Sequence, residues 1–231
     1  LLLNTARHPC DRPANLLATI AWRIAGRTTY ALEGSVLVAG AAIQWLRDEL
    51  GIIRRADESE ALARSAAEKH DVYVVPAFAG LGAPHWDMQA RGAIFGLTRG
   101  TGRAEIVKAT LESLAFQTRD MLDTMRAEAS MPLRRLRVDG GAAANDYLMQ
   151  FQADLLGVQV ERPALLETTA LGAARLAGVA AGLCAANEPP VPVEEPADRF
   201  TPRRRPAWRA ARMKGWHEAV SRTRGWLDAM P

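Results

Sequence analysis

The chain has 231 residues, 48% of them hydrophobic and 24% charged, with a formal net charge of +3 and a pI near 9.2. That balance excludes wholesale disorder and leaves enough chain to bury a substantial core. Two cysteines, Cys10 and Cys184, are too few and too distant for a disulfide framework or a metal cluster and fit a reduced, cytoplasmic setting. No apolar run approaches the roughly 18 residues of a membrane span, and no basic-then-apolar leader opens the sequence. The positive excess sits locally, around Arg203, Arg204, Arg205, Arg209 and Arg212. It reads as the solvated face of a basic helix, with a polyanion-binding surface as the alternative.

The opening run Leu1-Leu2-Leu3-Asn4-Thr5 reads as the end of a buried strand entered part-way, which points to a longer polypeptide. Leu16 to Ile20 and Thr28 to Leu32 flank Gly26 as a hairpin, and Gly34 closes the second strand. Apolar residues at Val36, Ala39, Ile43, Leu46 and Leu50 predict a helix stopped by Gly51. An alanine-rich helix over about Glu58 to Lys69 leads into a strand, Val72 to Val75, halted by Pro76. The loop Gly80 to Asp87 combines turn residues with a large apolar anchor, Trp86. Gly92 to Leu97 reads as a short strand, and a long, mostly buried helix runs from about Glu105 to Met125.

Leu136 to Val138 forms a strand, Asp139-Gly140-Gly141 a turn, and Asn145 caps a helix reaching about Leu156. Val158 to Val160 is a strand, and small residues let the helix from Thr169 to Ala181 pack closely. Asn187 to Pro206, rich in proline and acid, reads as an extended surface connection. Beyond it, Trp208, Ala211, Gly215, Trp216, Ala219 and Leu227 share one face of an amphipathic helix. The order of elements predicts an α/β domain, residues 1–186, whose central mixed sheet is covered by helices on both faces. Residues 187–231 form the connection and a helix packed on that domain.

Two constellations carry chemistry. In the first, a strand, the Gly140-Gly141 turn and a helix beginning at Asn145 let a ligand approach backbone amides closely, although Asp-Gly-Gly is more often a plain turn. In the second, Gly40 and Gln44 lie one helical turn apart on one face, following Gly34. A glycine inside a helix costs about 1 kcal/mol relative to alanine, so a ligand or a packed neighbour explains it. Gln44 offers donors and an acceptor suited to a ribose or a base edge. His8, His70, His85 and His217 are scattered without metal or triad spacing, and His85 reads as a solvated loop residue. Neither Asp87 nor Glu112 has a partner placed for acid–base work, so no catalytic residue and no metal ligand is assigned.

The run Gly92-Ala93-Ile94-Phe95-Gly96-Leu97, followed by Glu105-Ile106 and Ala109-Thr110-Leu111-Glu112, resembles the second signature of the FGGY carbohydrate kinases. Pro76 to Asp87 and the stretch from Leu136 to Pro163 resemble the glycerol kinases within it more than the xylulokinases or gluconokinases. The resemblance, from Leu1 to about Gly182, implies an actin-like, ribonuclease-H-like ATPase fold. It implies transfer of the γ-phosphate of ATP to glycerol, with ADP and glycerol 3-phosphate as products. Residue by residue, it carries nucleotide contacts to Gly40, Gln44, Gly141 and Asn145, with Asn145 at the adenine. It places the catalytic base, the Mg2+ ligands and the polyol site ahead of Leu1, and implies a homo-oligomer for the complete protein. Ala79 and His85 depart from the family pattern, as does the tail after Pro189. The alternatives are another sugar kinase of the family, a catalytically silent nucleotide-binding module, and nucleic-acid binding through the basic tail.

Overall fold

A computed structural model describes residues 1–7, 14–68, 70–129, 133–185 and 196–230. Cys10, His8, Lys69, the 186/187 boundary and most of the connection expected from Asn187 lie outside the described residues. Strands β1 (Leu2–Ala6), β2 (Leu17–Ile24) and β3 (Arg27–Glu33) form an antiparallel sheet in the order β1-β3-β2. Its hairpin turns through Ala25 and Gly26, both at positive φ (47° and 75°), the conformation that matches the twist of paired strands. Helices α1 (Gly40–Asp48) and α2 (Glu58–Ser65) follow, then the two-stranded pair β4 (Tyr73–Val75) and β5 (Ala93–Phe95). Helix α3 (Arg103–Ala129) leads to β6 (Arg135–Arg137), α4 (Asp146–Leu156) and β7 (Gln159–Arg162), with β6 and β7 parallel. After α5 (Thr168–Ala180), β8 (Asp198–Phe200) pairs antiparallel with β7, and α6 (Pro206–Thr223) closes the domain.

The 27-residue α3 is the spine. Leu111, Ala115 and Phe116 on it meet Ile43 and Leu46 of α1, Leu148 and Phe151 of α4, and Met213, Trp216 and Val220 of α6 in one core. A second cluster joins Met121, Leu122 and Met125 of α3 to Leu32 of β3 and Leu156 of α4. Thr110 and Ser113 are buried on α3 yet satisfied, their hydroxyls donating to the carbonyls of Ile106 (2.8 Å) and Thr110 (2.7 Å). Helix α4 carries both end signals: Asn145 Oδ1 accepts from Leu148 N at 2.9 Å, and Gly157 follows in the left-handed conformation (φ 68°).

Several expectations need correction. The first strand is not buried: β1 lies at a sheet edge and Leu2 is 68% exposed. Helix α1 starts at Gly40 rather than Val36, so Gly40 is its first residue and not an interior one. Residues 35–39 are irregular and bend before the helix; Val38 O accepts from Gln117 Nε2 at 3.3 Å, and Gly82 packs closely on the Ser35 carbonyl. The small residues of α5 do not pack closely, since the helix buries none of its residues. Leu227 lies in a separate 3-10 turn, Leu227–Ala229, and is exposed.

The basic tail divides: Arg203, Arg204 and Arg205 are exposed, as a solvated face requires, whereas Arg209 and Arg212 dock on the fold. Arg209 Nε donates to Asp154 O at 2.8 Å, and Arg212 Nη1 donates to His70 O at 2.9 Å. Arg204 pairs with Glu68. The Asp154 carbonyl at the end of α4 and the buried Glu112 carboxylate are stronger partners for Arg209 and Arg212 than water alone.

Candidate functional site

Gly40, Gln44, Gly141 and Asn145 come from two segments about 100 residues apart and line one cavity of about 550 Å³. Helix α1 contributes Gly40, Ile43, Gln44 and Arg47; the start of α2 contributes Asp57, Ser59 and Glu60; and a 3-10 turn, Gly141–Ala144, leads to Asn145. Leu111, Leu114 and Leu148 form an apolar floor. A Cβ placed on Gly40 or Gly141 would meet no described heavy atom within 4 Å. Helix packing therefore does not account for glycine at Gly40, whereas it does at Gly34, where a Cβ would lie 1.9 Å from Met121 Sδ.

The turn before the cavity is held from outside. Gly140, at φ 76°, donates its N–H to Leu166 O at 2.9 Å, and Asp139 accepts from the Thr168 hydroxyl. Across the cavity, α2 is stitched to the start of α4: Asn145 Nδ2 donates to Ser59 Oγ at 3.2 Å, and Asp146 N donates to Glu60 Oε2 at 2.9 Å. Glu60 also receives Arg64 at 2.7 Å, while a hydrogen bond from Arg55 draws the exposed Asp57 carboxyl below its usual range. With Asp57 and Glu60 in the lining and an apolar floor, the cavity suits the uncharged part of a ligand better than a bare phosphate. The sequence reading missed Ser59 and Glu60; both sit in an alanine-rich helix start with no local signal that they face another element.

Histidines His70, His85 and His217 are not scattered without partners. His70 Nε2 lies 3.1 Å from the buried Glu112, which also accepts from Tyr147 Oη at 2.6 Å and pairs with Arg212. Burial pushes the Glu112 carboxyl up, but His70, Arg212 and Tyr147 outweigh it and hold it below the usual range. His85, read as a solvated loop residue, is only 22% exposed and lies 3.5 Å from Asp120. His217 meets the same carboxylate at 2.9 Å. Both clusters join α6 to α3, so these groups act as internal ties. Among the described residues no group of three or more His, Cys, Asp or Glu is placed to hold a metal ion, and no helix is long and apolar enough to cross a membrane.

The chain belongs to the FGGY family of carbohydrate kinases, whose C-terminal domain matches residues 1–181. Its fold is the actin-like, ribonuclease-H-like α/β fold of those enzymes. It is 55% identical over 227 residues to the glycerol kinase of Halorhodospira halophila, a match covering 98% of this chain and 44% of that protein. The solved ADP-bound glycerol kinase of Plasmodium falciparum superposes with a TM-score of 0.85 at 32% identity, over 96% of this chain and 44% of the other. A ligand-bound xylulose kinase from Lactobacillus acidophilus, 22% identical with a TM-score of 0.76, shares the fold. The chain spans less than half the length of these proteins.

Proposed function

We propose that this chain is the nucleotide-binding half of an ATP-dependent glycerol kinase. The observation that carries the reading is the convergence of Gly40, Gln44, Gly141 and Asn145 on one cavity, with open space where two glycines lack a Cβ. Gly40 and Gly141 let the nucleoside approach the backbone, Gln44 addresses the ribose and Asn145 the adenine. The apolar floor takes the purine face. On this reading residues 1–186 are the nucleotide domain, and residues 187–231 are the connection and the C-terminal helix packed on it.

Phosphoryl transfer depends on positioning and on neutralising charge at the γ-phosphate. This half positions the nucleotide. The base acting on the glycerol hydroxyl, the polyol site and the ligands of the Mg2+ that accompanies ATP belong, on this reading, to residues outside the chain. The half alone binds nucleotide and transfers nothing. Docking of Arg209 and Arg212 within the fold takes two of the five arginines out of a polyanion-binding surface; the nucleic-acid alternative predicts steeply salt-dependent association.

Calorimetric titration with ADP tests the first part: one site is expected, lost in Gly141→Val, while absence of binding overturns the reading. A steady-state assay of the full-length protein tests the second. Turnover of glycerol supports it, and turnover of a pentulose in place of glycerol overturns the substrate.

A further inference from the structure

Resting on the reading of the cavity as a nucleotide site, we propose that Ser59 is a positioning residue for purine recognition: it fixes the Asn145 amide so that one N–H faces a ring-nitrogen acceptor of the base. The argument follows the direction of each hydrogen bond. Leu148 N can only donate, so the atom of Asn145 facing it at 2.9 Å is the amide oxygen. The amide nitrogen therefore points to Ser59 Oγ, 3.2 Å away. Ser59 has one hydroxyl hydrogen, and it is committed to Ala56 O at 2.5 Å. Towards Asn145 the hydroxyl can only accept.

Every polarity in the relay from Leu148 through Asn145 and Ser59 to Ala56 is thus set by a backbone group at either end. Ser59 is 2% exposed, so water does not compete for its hydroxyl. The nitrogen of Asn145 spans the gap between α4 and α2, and Asn145, Ser59, Ala56 and Leu148 all line the cavity. Of its two hydrogens one is held by Ser59, and the second is left for a ligand. A donor fixed in this way selects a base edge with a ring acceptor, such as N1, N3 or N7 of adenine, over one presenting a donor or C–H there. The adjacent bond from Asp146 N to Glu60 keeps α2 and α4 from separating.

The test compares ADP with its 1-deaza, 3-deaza and 7-deaza analogues, each lacking one ring acceptor, by calorimetry on the protein and on Ser59→Ala. In the unaltered protein one analogue is expected to bind about 10-fold more weakly than ADP, as loss of a single buried hydrogen bond predicts, and the other two like ADP. In Ser59→Ala that ratio falls to below about 3-fold. An unchanged ratio in Ser59→Ala, with ADP still bound, overturns the role of Ser59 and leaves the nucleotide reading standing. Failure of the unaltered protein to bind ADP overturns the nucleotide reading itself.

If Ser59→Ala does not fold, Ser59→Cys decides. A thiol occupies the place of the hydroxyl but is a weak acceptor, so discrimination among the deaza analogues is expected to fall below about 3-fold with ADP still bound. Unchanged discrimination in Ser59→Cys overturns the relay.

Discussion

Trp216 of α6 donates its indole N–H to Asp120 of α3 across 2.6 Å, and both residues are buried. The indole also stacks on Phe116, with ring centroids 5.2 Å apart, so one side chain supplies both an apolar and a polar tie between the two helices. Trp216→Phe keeps most of the stacking and removes the donor. The expected cost is about 1–3 kcal/mol, the penalty of a buried acceptor losing a partner. Trp216→Ala also opens a cavity and costs about 3–5 kcal/mol. Urea unfolding of both variants checks the order; no loss in Trp216→Phe would remove Asp120 from the account.

The same carboxylate sets a pH dependence. Burial pushes Asp120 up, but hydrogen bonds from His217 and Trp216, with His85 close by, outweigh it and leave the group below the usual carboxylate range. Its contribution is present above the unfolded value of about 3.9 and is lost as pH falls through the folded value. The hydrogen bond to Asp120 raises the His217 imidazole. That contribution is complete below the unfolded value of about 6.5 and is lost as pH rises through the folded value. The stability difference between the protein and His217→Ala is therefore expected to be largest between about pH 4 and pH 6.5 and to shrink in alkaline buffer. It stays modest, because the His217 side chain is 58% exposed. Thermal melts across the pH range measure it, and a difference growing above neutrality contradicts the assignment.

Two glycines near the cavity should respond oppositely to alanine. At Gly34 a Cβ would strike Met121 Sδ at 1.9 Å, so Gly34→Ala must displace a core methionine and is expected to cost about 1–3 kcal/mol. At Gly40 the added methyl meets open space at the first position of α1, so Gly40→Ala leaves the melting temperature unchanged or slightly raised. The same Gly40→Ala is expected to weaken ADP binding several-fold. Unchanged affinity would place the nucleotide away from α1.

Arg212 pairs with the buried Glu112 and lies over the rings of Tyr73 (4.9 Å) and Phe116 (5.5 Å). Arg212→Met retains much of the packing but leaves the buried carboxylate to Tyr147 and His70 alone, an expected loss of about 1–3 kcal/mol. Adding Glu112→Gln should recover part of it. Chemical denaturation of the single and double variants gives the coupling, and additive losses would show that the pair is not the source.

Features encoded in neighbouring residues were legible in the sequence. The Ala25–Gly26 turn, the cap at Asn145 and the long helix around Leu111 and Phe116 each carry their signal within a few positions. The four cavity residues were legible through spacing and family resemblance, which marked them as glycines and amides at two element starts. Features made by distant residues were not. Glu112 and Arg212 are 100 positions apart, and Ser59 and Asn145 are 86 apart, so nothing local announces either pair. The periodicity from Val36 misled because Val36 is apolar for packing on the second cluster ahead of the helix, in phase with the helix face without belonging to it. Within the arginine run, composition cannot tell the solvated Arg203, Arg204 and Arg205 from Arg209, seated on a helix end.

Trp216 is among the last large side chains along the chain, yet it is 1% exposed at the centre of the main core. Phe116 and Phe151 flank that space from elements made much earlier. During synthesis the pocket between α3 and α4 stays open until residue 216 has cleared the ribosomal tunnel, with Glu112 and Asp120 still lacking their α6 partners. The core therefore closes only when α6 docks, and a chain cut before Trp216 is left with an unfilled, aggregation-prone core.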